Sequence, residues 1–107
     1  MTYPSELELR EYFGVDPERS DDVTLFRVAD VAGISLVFSY NDTDDSVQTA
    51  LNVADRCISV VSHEKMSRLW IDQDTLRAEF TYSDNIVTLS LLVNPTIRVD
   101  WSGLRSS

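Results

Sequence analysis

From Val23 to Trp101 the chain alternates apolar and polar residues in short runs, and only extended backbone matches a period of two. Phe26 and Val28 flank Arg27. Ile34, Leu36, Phe38 and Tyr40 line one face of the next run, with Ser35, Val37 and Ser39 on the other. The pattern recurs at Val47/Thr49/Leu51/Val53, Ile58/Val60, Leu69/Ile71, Leu76/Ala78/Phe80/Tyr82, Val87/Leu89/Leu91/Val93 and Ile97/Val99/Trp101. Turn-forming residues separate the runs, at Asp30–Gly33, Asn41–Asp45, Ala54-Asp55, Glu64-Lys65, Gln73-Asp74, Ser83-Asp84-Asn85 and Asn94-Pro95. About eight short strands joined by brief turns predict an antiparallel sandwich or half-open barrel.

One helix precedes them, over about residues 5–13. Ser5 followed by Glu8 forms a capping box, Leu9, Tyr12 and Phe13 share one helical face, and Gly14 closes the end. Asp16 to Asp22 reads as a polar connection. Residues 46–54 also fit a helical stripe through Val47, Ala50, Leu51 and Ala54; strand is preferred because Gln48, Thr49, Asn52 and Val53 form helices poorly. The whole is mainly β, with one N-terminal helix in an α+β arrangement, and 107 residues make one domain. The expected core is Leu36, Phe38, Phe80, Leu91, Val99 and Trp101. Trp70 falls out of phase with Leu69 and Ile71, so it is either an interface anchor or the filling of a second sheet's core, and the core role is favoured.

The formal charge of -9 is unevenly placed. Residues 1–55 hold 12 acids against 3 arginines, whereas residues 56–107 hold 6 acids and 6 bases. Such a surface repels nucleic-acid phosphates and anionic lipid, and it attracts a basic protein. Met1 to Glu6 shows no basic stretch or apolar segment of a secretory signal, and the longest apolar run is too short to cross a membrane. Cys57 is the only cysteine, which suits a reducing cytosol, and a cytoplasmic location is expected.

Catalytic constellations are hard to assemble. Cys57 and the single imidazole, His63, fall six residues apart in one predicted strand, about 20 Å apart along it, so they cannot form a dyad. A buried thiol and a rim histidine account for both. Asp42, Asp44 and Ser46 imitate the start of a calcium loop, but Val47 stands where its glycine belongs and Val53 where its glutamate belongs. Zinc would need several thiolates or imidazoles, and Gly14, Gly33 and Gly103 are too isolated to cradle phosphate. No enzyme, metal or cofactor is expected.

Binding remains. Tyr40 beside Asp42, Asp44 and Asp45 is an aromatic-plus-acid cluster of the kind that meets arginines and lysines on a partner. It can equally be a core strand's end followed by a solvated turn.

Leu36-Val37-Phe38-Ser39-Tyr40, the acidic turn into Ser46-Val47-Gln48, and Pro95-Thr96-Ile97-Arg98-Val99-Asp100-Trp101 with Leu104 resemble the small immunity proteins of bacterial contact-dependent growth inhibition and related polymorphic toxin systems. The resemblance covers residues 34–104, about two-thirds of the chain, and carries no invariant functional motif across. It implies a cytosolic protein that binds one cognate toxin domain, often a nuclease, and blocks it. Nuclease sites are basic because they hold polyanions, so an acidic domain can cover one. Glu18, Asp21, Asp22, Tyr40, Asp42, Asp44 and Asp45 are the expected partner-binding residues. An acidic secretion chaperone, richer in helix, is the alternative, and a hydrolase built on scattered carboxylates is a more distant one.

Overall fold

The capping box forms at the start of the chain. Ser5 Oγ accepts the Glu8 N–H at 3.1 Å, Glu8 Oε1 accepts the Ser5 N–H at 3.1 Å, and helix α1 runs Glu6–Phe13. Gly14 ends it at φ +73, a left-handed conformation that costs glycine little. The computed structural model describes residues 3–105, the last two by backbone alone. Met1 and Thr2, part of the stretch searched for a leader, and the side chain of Leu104 therefore lie outside the described residues.

Among the described residues nine strands follow: β1 Glu18–Ser20, β2 Val23–Ala29, β3 Ile34–Asn41, β4 Ser46–Val53, β5 Arg56–His63, β6 Met66–Asp72, β7 Thr75–Thr81, β8 Asn85–Leu92 and β9 Arg98–Arg105. Residues 46–53 are strand, as their composition favours. All pairings are antiparallel between sequence neighbours, in a five-stranded sheet ordered β1-β2-β3-β4-β5 and a four-stranded sheet ordered β6-β7-β8-β9. The sheets do not close into a barrel, which decides for the sandwich. β1 lies inside the stretch expected to be a polar connection. Its residues are all exposed, so it has no buried face to leave an alternating pattern, and it is held by pairing Glu18, Arg19 and Ser20 with Leu25, Thr24 and Val23.

Phe26, Leu36, Phe38 and Val47 from one sheet meet Leu69, Leu76, Phe80, Leu89 and Leu91 from the other, each at most 3% exposed. Burying side chains of this size contributes about 1.5–3 kcal/mol each. The helix closes one side of this core. Its Phe13 ring stacks at 4.7 Å on Phe26 and 5.3 Å on Phe38. The Tyr12 hydroxyl reaches the opposite sheet, within 2.9 Å of Asp74 O and 2.6 Å of Leu91 O, and it accepts the Leu76 N–H at 3.1 Å. Burial raises the Tyr12 pKa. At the far end of the sandwich Asp30 ties the β2–β3 turn to the approach to β9. Its Oδ1 accepts N–H groups from Ala32 and Ile34, and its Oδ2 accepts the Ile97 N–H at 2.8 Å.

Four expectations need correction. Cys57 is exposed, because β5 is an outermost strand and Arg56 through Val60 are all exposed; Ile58 and Val60 share that exposure. Trp70 fills no second core. It stands half-buried on the outer face of β6, with the Arg68 guanidinium 4.0 Å from its ring centre. Val99 and Trp101 pack against the core but are only partly buried. Last, β9 continues past Trp101 to Arg105.

Candidate functional site

In an antiparallel meander alternate turns come to the same end, and here those turns carry the acids. Val23 pairs with Asn41, Asn41 with Ser46, and Val47 with His63. The turns Asp21-Asp22 and Asp42–Asp45 and the link Glu64-Lys65 are therefore neighbours along one end of the larger sheet. The smaller sheet joins them: Met66 N–H donates to Asp45 O at 2.9 Å, and Thr81 N–H donates to Lys65 O at 3.2 Å, which brings the β7–β8 turn with Asp84 alongside. Asp21, Asp22, Asp42, Asp44, Asp45, Glu64 and Asp84 thus share an end on which Lys65 is the basic residue among those described. Five of the twelve acids in residues 1–55 gather at this end, joined by Glu64 and Asp84 from the second half.

Local chemistry shapes these turns. Asp21 and Asp45 adopt positive φ, 55 and 52, which aspartate tolerates better than most residues. Asn41 Oδ1 accepts the Thr43 N–H at 2.8 Å, and the Ser46 hydroxyl donates to Asp44 Oδ1 at 2.6 Å. Asp21, Asp22, Asp42 and Asp44 remain exposed, whereas Asp45 is half-buried and accepts the Tyr3 hydroxyl at 2.6 Å. Burial of Tyr3, reinforced by the Asp45 carboxylate, raises the phenol pKa.

Of the other two expected partner-binding residues, Glu18 stands apart from this pole, whereas Tyr40 adjoins it from the inside, one residue before Asn41. Glu18 lies on β1, paired with Arg27 at 2.7 Å, so its charge is already met. Tyr40 sits on the inner side of β3, half-buried, with its ring 5.6 Å from Tyr3 and 6.2 Å from Phe38. Glu64 and Asp84 join the pole although only their turns were recognised in sequence. The signal was present: every second turn of a meander points the same way.

Behind the pole, His63 packs against Phe80, Tyr82 and Trp101 at ring distances of 5.7, 6.0 and 5.1 Å. Its Nδ1 is 3.0 Å from the Tyr82 hydroxyl, which donates in turn to Glu64 O at 3.0 Å. The imidazole is thereby held by neighbours and anchors the β5–β6 link. Cys57 stands at the opposite end of the same strand, with its Sγ 4.0 Å from Ser59 O. Among the described residues no group of three or more His, Cys, Asp and Glu side chains is placed to hold a metal ion, and no helix is long and apolar enough to cross a membrane. Chemically, the pole can present a dense negative field and hydrogen-bond acceptors to a cationic surface.

The fold has a solved counterpart. The chain superposes on one from a contact-dependent growth inhibition toxin-immunity protein complex of Klebsiella pneumoniae 342 with a TM-score of 0.86 and 21% identity, covering 96% of each chain. At that identity the likeness is one of fold. No protein-family model matches the sequence, and no curated protein matches it either.

Proposed function

We propose that this protein is an immunity protein, which binds the domain of a cognate toxin and neutralises it by occupying its surface. The observation that carries the reading is the fold, shared over nearly the full length with a chain of a toxin-immunity protein complex. The acidic pole supports a finer version, in which the toxin is a nuclease and the pole covers its basic substrate channel. Five of the seven residues expected to bind a partner, Asp21, Asp22, Asp42, Asp44 and Asp45, share that pole, with Glu64 and Asp84 beside them. Opposed charge accelerates encounter, which suits a protein that must silence its target before damage occurs. The role needs no cofactor, membrane or nucleic-acid partner, and the cytoplasm is where such protection would be required. The chaperone alternative fits less well, because it was expected to be rich in helix and α1 has eight residues.

The cognate toxin domain, to be sought first in the open reading frame immediately upstream, provides the test. Mixed with this protein, it should lose activity in proportion to occupancy, with complete inhibition at an equimolar ratio and no dependence on incubation time. Inactivation of a large excess of toxin by a trace of this protein would overturn occlusion and require catalysis.

A further inference from the structure

Side chains alternate along a strand, so with Leu36, Phe38, Val47 and Thr49 buried the residues between them face away from the core. On β3 these outward positions run alternately from Ser35 to Asn41, and on β4 from Ser46 to Asn52, and every one is uncharged. Cross-strand pairing continues them onto β5 in rows: Ser39, Gln48 and Ser62 in one, Val37, Ala50 and Val60 in the next. Both rows lie on the pole side of the irregularity at Leu51/Asn52. The outer face of the smaller sheet is built differently. It carries Arg77 within 3.4 Å of Asp72 and Arg98 within 3.2 Å of Asp100, as a solvated face does. Depletion of charge inside a charged rim is the composition of a protein interface's core.

A cavity of about 700 Å³ is lined by Ser39, Gln48 and Ser62 and reaches Glu64 and Lys65. Asn41 and Ser46, which bracket the Asp42–Asp45 turn, line it too, so it opens onto the acidic pole. We infer that this uncharged face and its cavity form the core of the surface that grips the toxin domain, with the pole as its charged rim. The inference rests on the immunity reading and names the surface that performs it. The occupant is a loop of the toxin that bears lysine or arginine. Its body rests on the hydroxyl and amide groups of Ser39, Gln48 and Ser62, and its cation turns toward Glu64, Asp42 and Asp44. Lys65 is engaged elsewhere, its ammonium 5.8 Å from the centre of the Tyr82 ring. A second copy is a poor occupant, because it would bring a chain of charge -9 up to the pole. Rim charges then govern approach, and the uncharged core governs how long the complex lasts.

Binding kinetics of the purified full chain with the cognate toxin domain, at low and at high salt, test this. Gln48→Tyr and Ser62→Tyr each add a ring to the face at an exposed position, leave the net charge at -9 and suit a strand. Either should make dissociation at least about tenfold faster, with the association rate and its salt dependence little changed. Ser102→Tyr, exposed on the outer face of the smaller sheet, should bind as the wild type does. An unchanged circular dichroism spectrum and melting temperature make each effect one of contact, and the second variant stands in if the first does not fold. A wild type that does not bind the toxin overturns the immunity reading and this inference together. A wild type that binds, with both folded variants holding the toxin equally long, overturns this inference alone, and so does an equal loss in Ser102→Tyr. A wild type at twice the 12.1 kDa chain mass in sedimentation, returned to the single mass by Gln48→Tyr, would give the face to a second copy and overturn it as well.

Discussion

The indole Nε1–H of Trp101 donates to Thr49 Oγ1 at 3.0 Å, and this bond ties β9 of one sheet to β4 of the other. Thr49 is 2% exposed, so its hydroxyl has been taken from water and depends on that donor. Trp101→Phe keeps much of the ring packing against Phe80 at 5.5 Å but orphans the hydroxyl, at a cost of about 1–3 kcal/mol. Thr49→Val in the same background should recover part of that loss. Urea unfolding of the four variants measures the coupling, and strict additivity would mean that the bond contributes nothing.

Phe13→Ala should cost about 3–5 kcal/mol, because the ring is stacked on both Phe26 and Phe38 and its loss opens a cavity where the helix seals the core. Leu7, 61% exposed on the same helix, is the control, and Leu7→Ala should stay within about 0.5 kcal/mol of wild type. Equal effects in thermal or urea unfolding would show that the helix does not seal the core.

Much of this architecture could be read from alternation, capping and turn residues, because those are local properties. The helix limits, the strand identity of residues 46–53 and the burial of Leu36, Phe38, Phe80 and Leu91 all follow from them. What escaped depends on neighbours. β1 carries Glu-Arg-Ser with no buried face, so its only signature is the backbone pairing to β2. Ile58 and Val60 alternate as a half-buried strand would, yet their exposure follows from β5 being last in its sheet, and strand order is not written in alternation. The acids at the site were legible as charge. Their convergence, and the separation of Glu18 through Arg27, required the register.

Cys57 should react with a thiol reagent in the folded protein at a rate close to that of a free thiol, because it is exposed on β5. Cys57→Ser should alter stability by no more than about 0.5 kcal/mol and leave toxin inhibition intact. His63→Gln should be the more costly change, since the imidazole bonds Tyr82 and touches Trp101. A thiol that reacts only on unfolding would contradict the exposed position.

The Asp30 carboxylate has its pKa lowered below the usual 3.8, chiefly by the Ile97 N–H; burial opposes this, and the Ile34 and Ala32 N–H groups each lower it by less. A carboxyl with a lower pKa in the folded chain stabilises that state above its unfolded value. This contribution is lost as the pH falls through the folded value. Thermal unfolding between about pH 2 and pH 6 should therefore show wild type losing stability on acidification, with Asp30→Asn less stable near neutrality and flatter in its acid response. Parallel curves for the two proteins would remove Asp30 from the acid response.

The acidic pole as the surface that meets the toxin is tested most directly by association kinetics. Asp21, Asp22, Asp42 and Asp44 are exposed at that pole, and Asp→Asn at all four leaves the strands beneath untouched. Against the cognate toxin domain, the wild-type association rate should fall steeply with added salt. The quadruple variant should associate at least about tenfold more slowly at low salt, with a shallow salt dependence and a dissociation rate changed far less. Equal association rates at low salt, with equal slopes against salt, would contradict the pole as the docking surface.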